Sequence, residues 1–198
     1  MSSYRALILL MLFSLWCATA VALTEDEIND LRKHFNGGLS NADSNEAIHD
    51  RLQQLLEQEP DNPLLLVYYG STETLLGKYA WMPWNKLGHV HDGIAHIDRA
   101  LRLAEQNSDP SMDEVQLVAT STYVSLPDMF NTFDSGKKLL AQLLALEPQR
   151  KWPSDFRLSL YSAAAKVAQH DGDRRAQLKW LARATALSSD STIGVKQP

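Results

Sequence analysis

Helical periodicity along the whole chain predicts an all-α protein. Apolar residues recur at the three-and-four spacing of amphipathic helices, and no segment shows the alternation that marks a half-buried strand. Glycine, proline or Asx residues interrupt the periodic segments at short intervals. We therefore expect about eight helices in one domain, because no connection is long enough to be a linker between two domains.

Local signals place the ends of most helices. Thr24 precedes Glu27 by three residues, which is the spacing of a capping box, so a first helix is expected from there to Gly37-Gly38. Pro63 fits the first turn of another helix, where its missing N–H costs no hydrogen bond. Asp134 is expected to cap a later one. The helices after the first are predicted at about 44–58, 63–76, 85–106, 112–124, 134–146, 154–169 and 174–187.

The N-terminal segment predicts export. A single Arg5 precedes an apolar run over 6–16, and small residues then form two overlapping A-x-A motifs. This is the pattern of a secretory signal peptide, with cleavage after Ala22 or after Ala20. We prefer Ala22, because that cut leaves the acidic helix start near the new terminus. The expected location is the periplasm of a Gram-negative bacterium, with residues 1–22 removed.

Two alternatives to cleavage remain open. Cys17 could be acylated as in a lipoprotein, but Trp16 stands where that processing signal requires a small residue. Residues 6–23 could instead stay as an anchor, since a spanning helix needs about 20 apolar residues. The small and polar residues after Trp16 weaken that case. After cleavage no transmembrane segment is expected.

Composition excludes several classes of function. The chain has 19 basic and 24 acidic residues, a net charge of −5, and no basic stripe, which argues against nucleic acid as a partner. Its single cysteine, Cys17, would leave with the signal, so the mature chain has no thiol nucleophile and no cysteine metal ligand. The sequence contains no G-x-S-x-G, H-E-x-x-H or glycine-rich phosphate loop. We therefore predict that the protein is not an enzyme and carries no cofactor.

The segment 66–77, LVYYGSTETLLG, resembles the first helix of a tetratricopeptide repeat. Gly70 precedes the turn glycine Gly77 by seven residues, as in that family, and a glycine there lets the partner helix approach closely. Ala100 matches the packing alanine of the second helix. Further copies are similar in the segments 52–60 (LQQLLEQEP) and 139–148 (LLAQLLALEP), which match the ends of second helices.

The last pair of helices shows the same pattern. Ala165 precedes Gly172 by seven residues, and Ala184 follows it by 12. The resemblance covers most of the chain after the signal, in degenerate copies. It implies about four antiparallel helix pairs, stacked as a superhelix over residues 23–187 and followed by a flexible polar tail, 188–198.

An insertion interrupts this pattern. Ala100 follows Gly77 by 23 residues instead of about 12, so 11 residues are added, including AWMPWNKLGHV. We expect a loop that carries Trp81 and Trp84. Its W-x-P-W segment is similar to segments of exported bacterial repeat proteins of uncharacterised function. The two rings either fill a gap beside neighbouring helices, which is the interpretation we favour, or form a contact surface for a partner.

His89, Asp92 and His96 are candidate metal ligands, because they share one face of the helix predicted at about 85–106. The two histidines are separated by seven residues, about 10.5 Å along the axis, so a single ion would need ligands from other helices. We favour a polar helix face and predict no metal site.

The segment 126–133 follows a broken helix, carries aromatic residues and is expected to meet the 79–93 insertion. The function that these features favour is an exported adaptor or scaffold that binds a protein or peptide partner in the cell envelope. The predicted contact residues are Trp81, Trp84, Tyr68 and Phe130. The alternative is a small-ligand-binding protein with an apolar pocket between the 79–93 insertion and the 126–133 loop.

Overall fold

All regular secondary structure of the described residues is helical, which confirms the all-α prediction. The structure, a computed structural model, describes residues 42–193 together with Asp26, Ile28, Asn29, Arg32 and Lys33. Residues 42–193 form seven α-helices and two 3-10 turns, without a strand. The predicted signal peptide and the capping box at Thr24 lie outside the described residues.

The helices follow one another through short connections. Numbered in chain order, they are α1 (Ala42–Gln58), α2 (Pro63–Tyr79), α3 (Pro83–Gln106), α4 (Met112–Tyr123), α5 (Phe133–Leu146), α6 (Ser154–His170) and α7 (Arg174–Ile193). The 3-10 turns are Asp128–Phe130 and Glu147–Gln149. Within the described part of the chain, none of the helices combines the length and apolar composition needed to cross a bilayer.

Most helix ends lie within two residues of their predicted positions, because local signals decide them. At the start of α2, the Asn62 side-chain oxygen accepts hydrogen bonds from the N–H groups of Leu64 and Leu65, at 3.0 and 3.2 Å. Gly172 has a φ of +74° in the turn between α6 and α7, a conformation that glycine adopts at little cost. Asp134, however, lies inside the first turn of α5 and is not its N-cap.

Consecutive helices pack as antiparallel pairs, and α2 with α3 is the most extensive of them. These two helices approach so closely that a Cβ on Gly70 would lie 2.5 Å from the carbonyl oxygen of Gly93. The expected close approach at Gly70 is therefore confirmed, and Gly93 is the residue that faces it. The first helices of the successive pairs also contact each other, α2 with α4 and α4 with α6.

The core consists of two clusters that share α4. Leu65, Ile97 and Tyr123 belong to the first cluster, which α1, α2, α3 and α4 enclose. Leu143 and Leu160 belong to the second, between α4, α5, α6 and α7. Because α4 places opposite faces in the two clusters, it joins both halves of the described chain.

The predicted tryptophan loop is shorter than expected, because most of the added residues lengthen a helical hairpin. The connection is residues 80–82, which contain Trp81, whereas Trp84 lies in α3. Helix α2 does not end at Gly77 but continues to Tyr79, and α3 already begins at Pro83. Gly77 is needed for packing inside the helix, because a Cβ there would lie 2.8 Å from the carbonyl oxygen of Lys86 on α3. Pro83 then starts α3 in the first-turn position that proline favours.

The last helix extends beyond its predicted end at residue 187. Helix α7 continues past Ser188 to Ile193. Neither glycine nor proline occurs between Gly172 and Gly194, so the chain carries no strong stop signal there. Residues 194–198 lie outside the described part of the chain.

Candidate binding cleft

A cleft of about 1600 Å³ runs across the first helices of the successive pairs. Its walls come from α2, α4 and α6, from Ile28 and Arg32 at one end, and from the start of α3 and the 3-10 turn Asp128–Phe130 at the other. Pockets for small molecules usually have volumes of about 300–1,000 Å³. The size of this cleft therefore suits a longer occupant.

A hydrogen-bond network around Glu114 of α4 lines one end of the cleft. The Tyr68 hydroxyl donates to Glu114 Oε1 at 2.6 Å, and the Arg32 guanidinium donates to both carboxylate oxygens, at 2.7 and 2.5 Å. Burial, and then the neighbouring Glu114 carboxylate, raise the pKa of Tyr68 well above its usual value. Tyr68 is only 4% exposed, so it forms the wall of the cleft and offers little ring surface to a partner.

The neighbouring acid, Asp113, is held by a hydrogen bond from Trp152 and an ion pair with Arg150. Trp152 Nε1 donates to Asp113 Oδ2 at 3.0 Å, and Arg150 Nε lies 3.2 Å from the same oxygen. Trp152 stacks on Phe156 with 4.5 Å between ring centroids, and both rings line the cleft. The carboxylates of Asp113 and Glu114 are thus already paired within the protein.

The other end of the cleft is apolar. Pro83 and Leu87 of α3 line it together with Met129 and Phe130 of the 3-10 turn. Phe130 is half-buried and meets His91 edge to face, with 5.5 Å between ring centroids. The structure thus brings the 126–133 segment against the inserted residues, as the sequence predicts, and Phe130 lies in the cleft.

Three lysines line the apolar end, namely Lys78, Lys86 and Lys166. Lys166 Nζ donates to the Ser125 hydroxyl at 2.7 Å, and burial lowers its pKa. Among the described residues, the ion pairs of the protein include none of these three lysines. This end of the cleft is therefore positive in a chain whose net charge is −5.

The tryptophans of the insertion lie outside the walls of the cleft. Trp81 is 88% exposed and Trp84 is 67% exposed, so the interpretation that they fill a gap between helices is wrong. Every residue of the segment 81–88 is exposed, although the backbone of Lys86 packs against Gly77 of α2. A pocket walled by Trp81, Trp84 and Phe130 is not formed, since only Phe130 faces the cleft.

The histidines of α3 do not act together. His89 Nδ1 lies 2.7 Å from Glu73 Oε1 of α2, whereas His96 Nδ1 bonds the backbone oxygen of Asp92 at 2.8 Å. His49 of α1 bonds the second oxygen of Glu73. In the part of the chain that the structure describes, no three His, Cys, Asp or Glu side chains are grouped so that they could hold a metal ion.

Sequence reasoning missed Glu73, which is 7% exposed. Burial raises its pKa, but hydrogen bonds from His49 and His89 outweigh that effect, so the pKa of Glu73 lies below its usual value. The available signal was a single acid in the otherwise uncharged segment 63–77. Its partners are 24 and 16 residues away, and nothing in the sequence pairs them with it.

Comparison with protein-family models, with curated proteins and with solved structures gives no match for this chain.

Proposed function

We propose that this protein is an adaptor of tetratricopeptide-like helix pairs that binds an extended segment of a partner protein in its cleft. The observation that carries the proposal is the continuous cleft of about 1600 Å³ across α2, α4 and α6. A stack of helix pairs whose first helices share one surface is the architecture that repeat proteins use to hold extended ligands. The predicted signal peptide supports the cell envelope as the place of action.

The lining indicates the kind of segment that would fit. The hydroxyl group of Ser121 lies in the wall and can pair with the backbone of an extended chain. Phe130 and the apolar residues around it suit a large apolar side chain. Lys78, Lys86 and Lys166 favour a segment with carboxylates beside that apolar residue. At the opposite end, the carboxylates of Asp113 and Glu114 are already paired within the protein.

Site-specific photocrosslinking in the native envelope tests the proposal. A benzophenone side chain at Ser121, in the cleft wall, is expected to capture a partner polypeptide that the same group at Leu178, exposed on α7, does not capture. Lys166→Gln should weaken that capture, because it removes a positive charge from the cleft. The same set of captured proteins from both positions would contradict binding in the cleft.

A small ligand would give a different result. Mass spectrometry of the gently purified protein would then show a bound compound of low mass, and crosslinking from Ser121 would yield no polypeptide. That outcome would replace the adaptor with a ligand-binding protein whose site lies at the apolar end, around Phe130.

A further inference from the structure

The tip of the α2–α3 hairpin, residues 78–87, concentrates the exposed apolar side chains of the protein. Five of the eight large apolar residues that are exposed in the described structure lie within this stretch. They are Tyr79 (36%), Trp81 (88%), Met82 (39%), Trp84 (67%) and Leu87 (41%). Exposed apolar surface concentrated in this way marks an interaction site.

Every residue from 81 to 88 is exposed. Trp84 and Leu87 are three residues apart, so they lie on the same side of the first turns of α3, and Trp81 and Met82 directly precede the helix. Exposed tryptophan and tyrosine rings beside lysines are typical of a segment that lies in the interfacial region of a membrane. The residue types of the tip therefore favour a lipid surface over a protein groove as the occupant.

The charge of the hairpin tip indicates which kind of lipid headgroup would bind it. No Asp or Glu occurs between Thr74 and His91, whereas Lys78 and Lys86 lie within the tip. Lys78 Nζ lies 5.5 Å from the centre of the Tyr79 ring, which keeps its charge beside an aromatic surface. The tip is thus positive in a chain of net charge −5, and its electrostatic complement is an anionic surface.

We propose that the hairpin tip docks this protein on the surface of an anionic phospholipid membrane. Trp and Tyr rings are favoured at the boundary between headgroups and acyl chains, and lysines beside them interact with lipid phosphates. The ten-residue tip is too short to span a bilayer, which takes about 20 residues, so the contact is peripheral. Pro83, Lys86 and Leu87 also line the cleft, so the apolar end of the cleft would open near the membrane.

Hydrogen exchange on the full chain tests the docking directly. The N–H groups at the start of α3 have no partner within the helix, so they should exchange rapidly in solution. Vesicles of phosphatidylglycerol with phosphatidylethanolamine should slow exchange in peptides that cover 79–88, and phosphatidylcholine vesicles should do so much less. This readout is local, so binding through the N-terminal apolar segment does not imitate it.

Variants then separate the contribution of the lysine charges to membrane binding from that of the apolar side chains. Each of Lys78→Gln and Lys86→Gln should weaken partitioning into anionic vesicles about fivefold, which corresponds to about 1 kcal/mol per lysine. Trp81→Ala/Trp84→Ala should weaken it more than about tenfold, through lost apolar burial. Leu178→Ala/Leu181→Ala removes two exposed apolar side chains elsewhere, on α7, and should leave partitioning unchanged.

Unchanged exchange at 79–88 in the presence of anionic vesicles would overturn the proposal. So would equal partitioning of the tryptophan variant and the α7 control. Protection of 79–88 that rises with protein concentration in the absence of lipid would instead assign the tip to a second copy of the chain. None of these results depends on binding in the cleft, so this proposal and the adaptor proposal can fail separately.

Discussion

Replacing Gly70 with alanine should destabilise the protein, although alanine is the better helix former. The added methyl group would lie 2.5 Å from the Gly93 oxygen and 2.9 Å from Ile97 Cγ1. The first of these is a backbone atom, so the clash is relieved only if α2 and α3 move apart along their most extensive contact. Overpacking costs about 1–3 kcal/mol, and a backbone clash of this size places Gly70→Ala near the upper limit.

The gain in helix propensity offsets about 1 kcal/mol of that cost. We therefore expect the free energy of unfolding to fall by about 2 kcal/mol, and the midpoint of thermal unfolding to fall by about 4–8 °C for a chain of this size. Urea denaturation followed by circular dichroism measures the first quantity, and calorimetry measures the second.

Gly88→Ala is the matched control. Gly88 also lies within a helix of the same hairpin, but a Cβ there would meet nothing within 4 Å. Only the propensity gain remains, so this variant should be more stable than the wild type by about 1 kcal/mol. If Gly70→Ala proves as stable as Gly88→Ala, α2 and α3 do not approach closely at Gly70, and the expected clash with the Gly93 oxygen is refuted.

Other substitutions test the remaining features. Asn62→Ala removes the cap of α2 and should lower the free energy of unfolding by about 0.5–2 kcal/mol in urea titrations; no change would mean that the cap does not form. The pKa of Glu73 is lower in the folded state than its usual value near 4.5. The ionised carboxylate therefore stabilises the folded protein at pH values above 4.5, and this stabilisation is lost as the pH falls through the pKa of Glu73 in the folded state. Glu73→Gln should therefore show a flatter dependence of unfolding free energy on acid pH than the wild type, and identical curves would exclude the bridge to the two histidines. Trp81→Ala/Trp84→Ala should change stability by less than about 0.5 kcal/mol, because both rings are exposed. If the free energy of unfolding fell by more than 2 kcal/mol in the same titration, the interpretation that the two rings fill a gap between helices would be restored.

Helix bounds could be predicted because they depend on neighbouring residues. Asn62 and Pro63 act within one turn, and Gly172 adopts its positive φ without help from the rest of the fold. The predicted helix end at Gly77 was wrong, because this glycine allows α3 to pack closely against α2 and does not end the helix. A glycine that ends a helix and a glycine that admits another helix look alike in sequence, and only the position of Lys86 separates them.

The candidate site could be predicted only in part. The meeting of the 126–133 segment with the inserted residues was predicted, and Phe130 lies in the cleft. The pairing of Arg32 with Glu114, 82 residues apart, could not be predicted, and neither could the burial of Glu73 between His49 and His89. Such pairs form only when three or more helices have packed, and no local pattern encodes which helices these are.

The sequence by itself therefore determined the helical class, the order of the helices and most of their ends, because periodicity, caps and helix-breaking residues act locally. Tertiary structure alone decided which surfaces are left uncovered. Trp81 and Trp84 are of a residue type that is usually largely buried, yet both side chains are exposed at the hairpin tip. Whether a side chain is buried depends on what packs over it, and that is a property of the whole fold rather than of the segment that carries it.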